Sequence, residues 1–120
     1  MPTLAIEGLE LVVHLSLAEK LAAIHGDARF PLSSVSDVVV EPNVWGALRG
    51  IRAPGTGVPY VLAYGTRRWP GGKDLALVRG GRRPGLRVDF DEGAPYDRLV
   101  VTVADPQASA VAIRSAIGRP

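Results

Sequence analysis

The chain has 120 residues, no cysteine and a formal net charge of +2, which suits one domain able to bury roughly two-thirds of its unfolded surface without staples. Zero cysteines exclude disulfides, thiol catalysis and every cysteine-based metal site. No run of about 18 apolar residues is present, and Met1 to Glu7 lacks a basic region and a long apolar core, so neither a spanning helix nor a secretory signal is read and the expected address is cytoplasmic.

Residues 9–15 alternate as a strand does, with Leu9, Leu11, Val13 and Leu15 against Glu10, Val12 and His14. Ser16-Leu17-Ala18-Glu19 then spells a capping box, in which hydroxyl and carboxylate satisfy each other's orphan amides. It opens a short helix on which Leu17, Leu21 and Ile24 fall at helical spacing, with Gly26 as its stop. Residues 28–31 predict a brief strand that Pro31 confines to an edge or an end. Residues 35–41 form the next strand, ended by Pro42-Asn43. Residues 43–58 show no clear period and predict a long loop with one helical turn at 44–48; loops of that length are often functional.

Residues 60–65 are apolar on both faces, as a central strand is, and a turn over 66–73 contains Trp69-Pro70-Gly71-Gly72. A strand over 74–79, a turn over 80–85 and a strand over 86–90 follow. In the last, Leu86, Val88 and Phe90 face in while Arg87 and Asp89 face out. An acidic loop at 91–97 leads to a strand over 99–104. The final helix has the clearest start: Asp105 is a strong N-cap and Pro106 occupies the first helical position. Ala110, Ile113 and Ile117 share its inner face, and Gly118 ends it.

Seven strands, mostly joined as hairpins and followed by one terminal helix, resemble the layout of a pleckstrin-homology-like domain. The likeness is sharper to uncharacterised bacterial members in which a short helix follows the first strand. It is carried by Leu15-Ser16-Leu17-Ala18-Glu19-Lys20-Leu21, by His25-Gly26-Asp27-Ala28-Arg29-Phe30-Pro31-Leu32 leading to Val35 and Val38, and by Arg52-Ala53-Pro54-Gly55-Thr56-Gly57. The resemblance implies a mostly β fold, a bent seven-stranded barrel or sandwich with a C-terminal capping helix, and no reaction. Phosphoinositide-binding members carry several cations along their first two strands. Here Lys20 and Arg29 stand amid Glu19 and Asp27, which argues against recognition in that manner.

The chain carries none of the familiar chemical motifs at their required spacing. Gly65 to Lys73 fails the phosphate-loop spacing twice, since Arg67 stands where glycine is needed and Asp74 follows Lys73. Gly55-Thr56-Gly57 lacks the third glycine and the helix of a dinucleotide site. His25-Gly26-Asp27 has no third metal ligand nearby, and His14 reads as a partly buried structural histidine. Ser33 or Ser34 with His14 and Asp37 has no nucleophile elbow behind it. Asp89, Asp91, Glu92 and Asp97 read as a solvated acidic face. No catalytic residue, metal or cofactor is expected.

Charge is the remaining lead. Arginine outnumbers lysine twelve to two, a bias that GC-rich codons produce on their own. Its placement is uneven, however. Residues 49–87 carry nine cations against Asp74 alone, a local net of +8, while residues 1–48 sum to −4 and residues 88–120 to −2. Beyond a Debye length of about 8 Å such regions act separately. The expected function is therefore a non-catalytic binding module that meets an anionic partner, a membrane surface or an acidic protein patch. In an antiparallel meander, Arg49, Arg52, Arg82 and Arg83 would share one end, and Arg67, Arg68 and Lys73 with Trp69 the other. Trp69 and Trp45 are membrane-interface candidates, set against rings folded back on the barrel. Nucleic acid is disfavoured, because no reading helix and no stacking ladder of aromatics is present. The alternative is a protein-interaction or self-assembly domain, a homo-oligomer pairing through open sheet edges.

Overall fold

The computed structural model describes residues 2–23, 27–49, 51–58, 62–81, 83–91 and 94–118. A hairpin of β1 (Thr3–Glu7) and β2 (Glu10–His14) extends antiparallel into β3 (Ala28–Pro31), giving a three-stranded sheet. Helix α1 (Leu17–Ala23) lies between β2 and β3 in the chain. The larger sheet is built from β4 (Val35–Glu41), β5 (Ile51–Val58), β6 (Leu62–Trp69), β7 (Gly72–Arg79), β8 (Gly85–Phe90) and β9 (Arg98–Val101). Their order is β4-β8-β9-β7-β6-β5. Helix α2 (Pro106–Ala116) closes the chain, with the Asp105 side chain accepting from the Ala108 amide as its cap. Neither described helix is long and apolar enough to cross a membrane.

A mostly β fold of two sheets and a C-terminal helix agrees with the sequence reading, but the count differs. Among the described residues there are nine strands rather than seven, and neither sheet closes into a barrel. The two additional strands are both edges. β1 is five residues long and largely solvated, so its alternation carries little signal. β5 falls inside the expected loop of residues 43–58, where Pro54, Gly55 and Gly57 hide the period. An edge strand tolerates them because one side needs no donors, and the register breaks between Arg52 and Gly55. The expected turn over 66–73 shrinks to Pro70-Gly71, with Trp69 opposite Gly72. Arg67, Arg68, Trp69 and Lys73 therefore sit on paired strands.

The connections are not a simple meander either. β7 and β9 run parallel, and β9 lies between β7 and β8. The core fills the space between the sheets. Leu75, Leu77, Leu86, Val88, Leu99 and Val101 of the larger sheet meet Leu11, Val13 and Phe30 of the smaller one. Phe30 and Phe90 stack across the gap with centroids 4.5 Å apart. Ala110 and Ile113 of α2, fully buried as their spacing predicts, complete this core.

A second, smaller core lies on the opposite face of the large sheet. A 3-10 turn at Val44–Ala47 crosses that face and buries Val44 and Ala47 on Ala63, Val78 and Val100. The Val44 amide donates to the Arg83 carbonyl at one end of the crossing, and the Ala47 carbonyl accepts from Arg98 further along. Gly85 permits this close approach, since a Cβ there would come within 2.3 Å of Val44 Cγ2.

Helix α1 has the capping box the sequence spells. Ser16 N donates to Glu19 Oε1 at 3.0 Å, and Glu19 N donates to Ser16 Oγ at 3.2 Å. Its apolar stripe is nevertheless turned outward, with Leu17 75% and Leu21 72% exposed. Ile24 and the expected stop at Gly26 lie outside the described residues. The polar anchor sets the orientation: Glu19 is buried, and its Oε2 accepts from the Tyr64 hydroxyl at 2.6 Å. Burial and that bond push the Tyr64 hydroxyl well above its ordinary range.

Candidate functional site: a basic hairpin end

The cation-rich segment is divided by strand parity. Successive residues of β6 point to opposite faces. Arg67 and Trp69 thus share the outer face with Asp74 of β7, while Arg68 is directly opposite Lys73 on the other. Asp74, the only acid of the segment, is fully buried. Its carboxylate receives Arg49 in a two-point clasp, Nε to Oδ2 at 2.8 Å and Nη2 to Oδ1 at 2.7 Å. Trp69 Nε1 also donates to Oδ1, at 3.0 Å. The guanidinium lies 4.1 Å from the centroid of the Trp69 ring, which caps it. Hydrogen bonding to Asp74 holds Arg49 above its ordinary value, against the opposing effect of burial. Gly71 allows the ring to fold back, because a Cβ there would overlap Trp69.

This places Arg49 at a different end from the one the meander predicts. The crossing segment starts beside Arg83 and Gly81, where Trp45 Nε1 donates to the Gly81 carbonyl at 2.8 Å. It then carries Arg49 over the sheet to the β6–β7 hairpin. Arg83 stays behind at the far end of β7, half-buried, and Arg82 lies outside the described residues. Arg67 Nε donates to the Arg49 carbonyl at 3.2 Å. The β5–β6 register puts Arg52 opposite Arg67, and the β6–β7 register puts Arg68 opposite Lys73. Arg68 is exposed, and Lys73 Nζ lies 4.9 Å from the Tyr96 ring centroid. The hairpin end thus gathers the positions of Arg49, Arg52, Arg67, Arg68 and Lys73, with Arg49 and Arg67 hydrogen-bonded to protein acceptors and two pairs in cross-strand register. Both tryptophans lie back against the sheet with their ring N–H groups bonded to protein acceptors.

Other arginines are taken up by the fold itself. On the outer face Arg87 reaches Glu41 at 2.7 Å and Asp89 at 3.2 Å, and Arg98 reaches Asp89 at 2.7 Å. Within the expected acidic face, Asp89 is therefore an ion-pair centre, and Asp97 accepts from the Lys73 amide at 2.9 Å. Asp91 is exposed, and Glu92 lies outside the described residues. His14 is 41% exposed and clasped on both ring nitrogens, Nε2 by Glu7 at 2.8 Å and Nδ1 by Asp27 at 3.3 Å. Those two bonds, Glu7 first, raise its pKa above 6.5. Its carboxylate partners are Glu7 and Asp27 rather than Asp37, and Ser34 Oγ donates to the Pro31 carbonyl at 2.7 Å. His25 lies outside the described residues, and among those described no group of three or more metal-ligating side chains gathers.

Sequence reasoning missed the internal role of Asp74. A single acid within a strongly cationic segment was the available signal, since a buried arginine needs a partner. It also missed the Glu19–Tyr64 pair, where the capping box marked Glu19 without showing that it faces the core. No family model, curated protein or solved structure matches this chain.

Proposed function

We propose that this chain is a non-catalytic binding module of the pleckstrin-homology-like kind that docks on an anionic membrane surface through the β5–β6–β7 end. The observation that carries the reading is the register. Like charges directly opposite each other destabilise a sheet, yet Arg68 is directly opposite Lys73 on the β6–β7 ladder, and Arg52 is in register with Arg67, which has Asp74 across from it on β7. The only acid of the segment is consumed by Arg49 and Trp69. An external anionic surface offsets such a cluster, at about 1 kcal/mol per cation near anionic lipid.

Flotation with anionic and neutral vesicles tests this at low and physiological salt. Binding is expected to anionic vesicles alone, to weaken as salt rises, and to vanish in a double variant Arg68→Glu with Lys73→Glu that melts like the parent. Retained vesicle binding in that variant would remove the hairpin from the interface. No flotation in any condition would overturn the lipid reading and leave an acidic protein patch as the partner to test.

A further inference from the structure

Strand alternation puts Glu10, Val12 and His14 of β2 on the face opposite the core residues Leu11 and Val13. On that outer face of the small sheet, two carboxylates hold the His14 ring by its two nitrogens. Glu7 of β1 meets Nε2 at 2.8 Å, and Asp27, the residue before β3, meets Nδ1 at 3.3 Å. A neutral imidazole has one N–H and one lone pair, so it can donate to only one of them. Both contacts are attractive only in the imidazolium.

Asp27 makes a further bond. Its Oδ1 accepts from the Leu15 amide at 2.9 Å. The chain leaves β2 at Leu15 to make α1 and returns at Asp27, so this bond closes the excursion at its neck. Helix α1 in turn packs against β5 and β6 and is anchored to Tyr64 through Glu19. The carboxylate that grips His14 is thus the one that holds α1 by its base.

We propose that His14 is a pH-sensitive latch on the α1 excursion. As the imidazolium it bridges β1 to Asp27. When it gives one proton to water it keeps Nε2–H on Glu7, the closer acceptor, and turns the Nδ1 lone pair toward Asp27. That contact becomes repulsive and the neck loosens. Among the described residues the other charged groups of this cluster are Lys20 of α1, 3.6 Å from Asp27 Oδ1, and Arg29 of β3, 3.7 Å from Glu7 Oε1 and 3.5 Å from Glu10 Oε1. Glu7 and Asp27 each keep a cation when His14 is neutral, so the loosening is graded and local. The Glu7 bond first, and then the Asp27 bond, hold the imidazolium above 6.5. A raised folded value gives stability that is complete below the unfolded one and is lost as pH rises through the folded one. Helix α1 is therefore gripped at low pH and eased at higher pH. The latch stands apart from the basic hairpin.

The test uses the full chain, with His25→Gln to leave a single imidazole signal. Proton–nitrogen NMR correlation through the ring should show His14 titrating above 6.5, and lower in both Glu7→Gln and Asp27→Asn. The neutral limb should be the Nε2–H tautomer. Across the same interval, exchange of the Leu15 amide, divided by its intrinsic rate at each pH, should speed about two- to fivefold, the scale of an exposed ion pair. That step should vanish in His14→Gln. Titration at or below 6.5, a neutral Nδ1–H tautomer, a Leu15 rate without a step, or a step that survives in His14→Gln overturns the latch. Should a variant fail to fold, the tautomer and the exchange step of the parent chain decide.

Discussion

On the inner face of the six-stranded sheet, Leu75, Leu77, Leu86, Val88 and Leu99 are completely buried and meet the smaller sheet across the Phe30–Phe90 stack. On the outer face, alternate residues of the same strands are Asp74, Arg87, Asp89 and Arg98, held in ion pairs with one another or with Arg49 and Glu41 and partly roofed by the 44–49 crossing. One sheet thus uses two currencies of cohesion. Apolar contact is non-directional and tolerates repacking. The ion-pair lattice is directional, and each missing partner strands a desolvated charge. The comparison explains why a strongly arginine-rich segment does not make an equally strong basic surface.

Substitutions can separate the two faces. The largest loss is expected from Leu77→Ala, which empties a fully buried inner position and should cost about 2–5 kcal/mol in urea unfolding. Asp74→Ala on the outer face leaves Arg49 and Trp69 Nε1 without their acceptor. Because Arg49 keeps some solvent contact, about 3 kcal/mol, the lower end of the buried-pair range, is expected. A loss under about 1 kcal/mol would show the outer lattice to behave as surface ion pairs do. The smallest effect belongs to Glu19→Gln, which weakens the polar anchor inside the apolar face by about 1–2 kcal/mol.

That last variant also carries a pH signature. Burial pushes the Glu19 carboxyl up, but the Ser16 amide and the Tyr64 hydroxyl outweigh it, so folding holds the group below its ordinary 4.5. A depressed carboxylate contributes its full stability above the unfolded value and loses it as pH falls through the folded one. The gap between parent and Glu19→Gln should therefore be constant from neutrality down to about pH 4.5 and narrow below it. A gap unchanged into stronger acid would mean that the Tyr64 bond does not depend on the charge.

Much of this was readable along the chain, and the omissions share a cause. The capping box at Ser16 and Glu19, the Asp105-Pro106 helix start and the alternation of Leu86, Val88 and Phe90 are local patterns with local reasons, and the structure has all three. Edge strands carry weak signals: β1 is half-solvated and β5 is written in Gly and Pro. The position of Arg49 depends on a segment crossing the sheet, which no spacing in residues 43–49 encodes. Likewise, Leu17 and Leu21 have the right period for burial, and only the long-range bond from Tyr64 to Glu19 explains their exposure.

The place of β9 has a consequence for how the molecule assembles. β7 and β8 precede β9 in the chain, yet they do not pair with each other; residues 98–101 lie between them and pair with both. Without β9 the large sheet is two fragments, β4 with β8 and β5-β6-β7, whose facing edges are open. Chain order and spatial order disagree at that point, and non-local parallel pairing is slow because loop closure precedes its reward. Joining the two half-sheets thus falls to the four residues of β9, whose removal would leave two open edges facing each other.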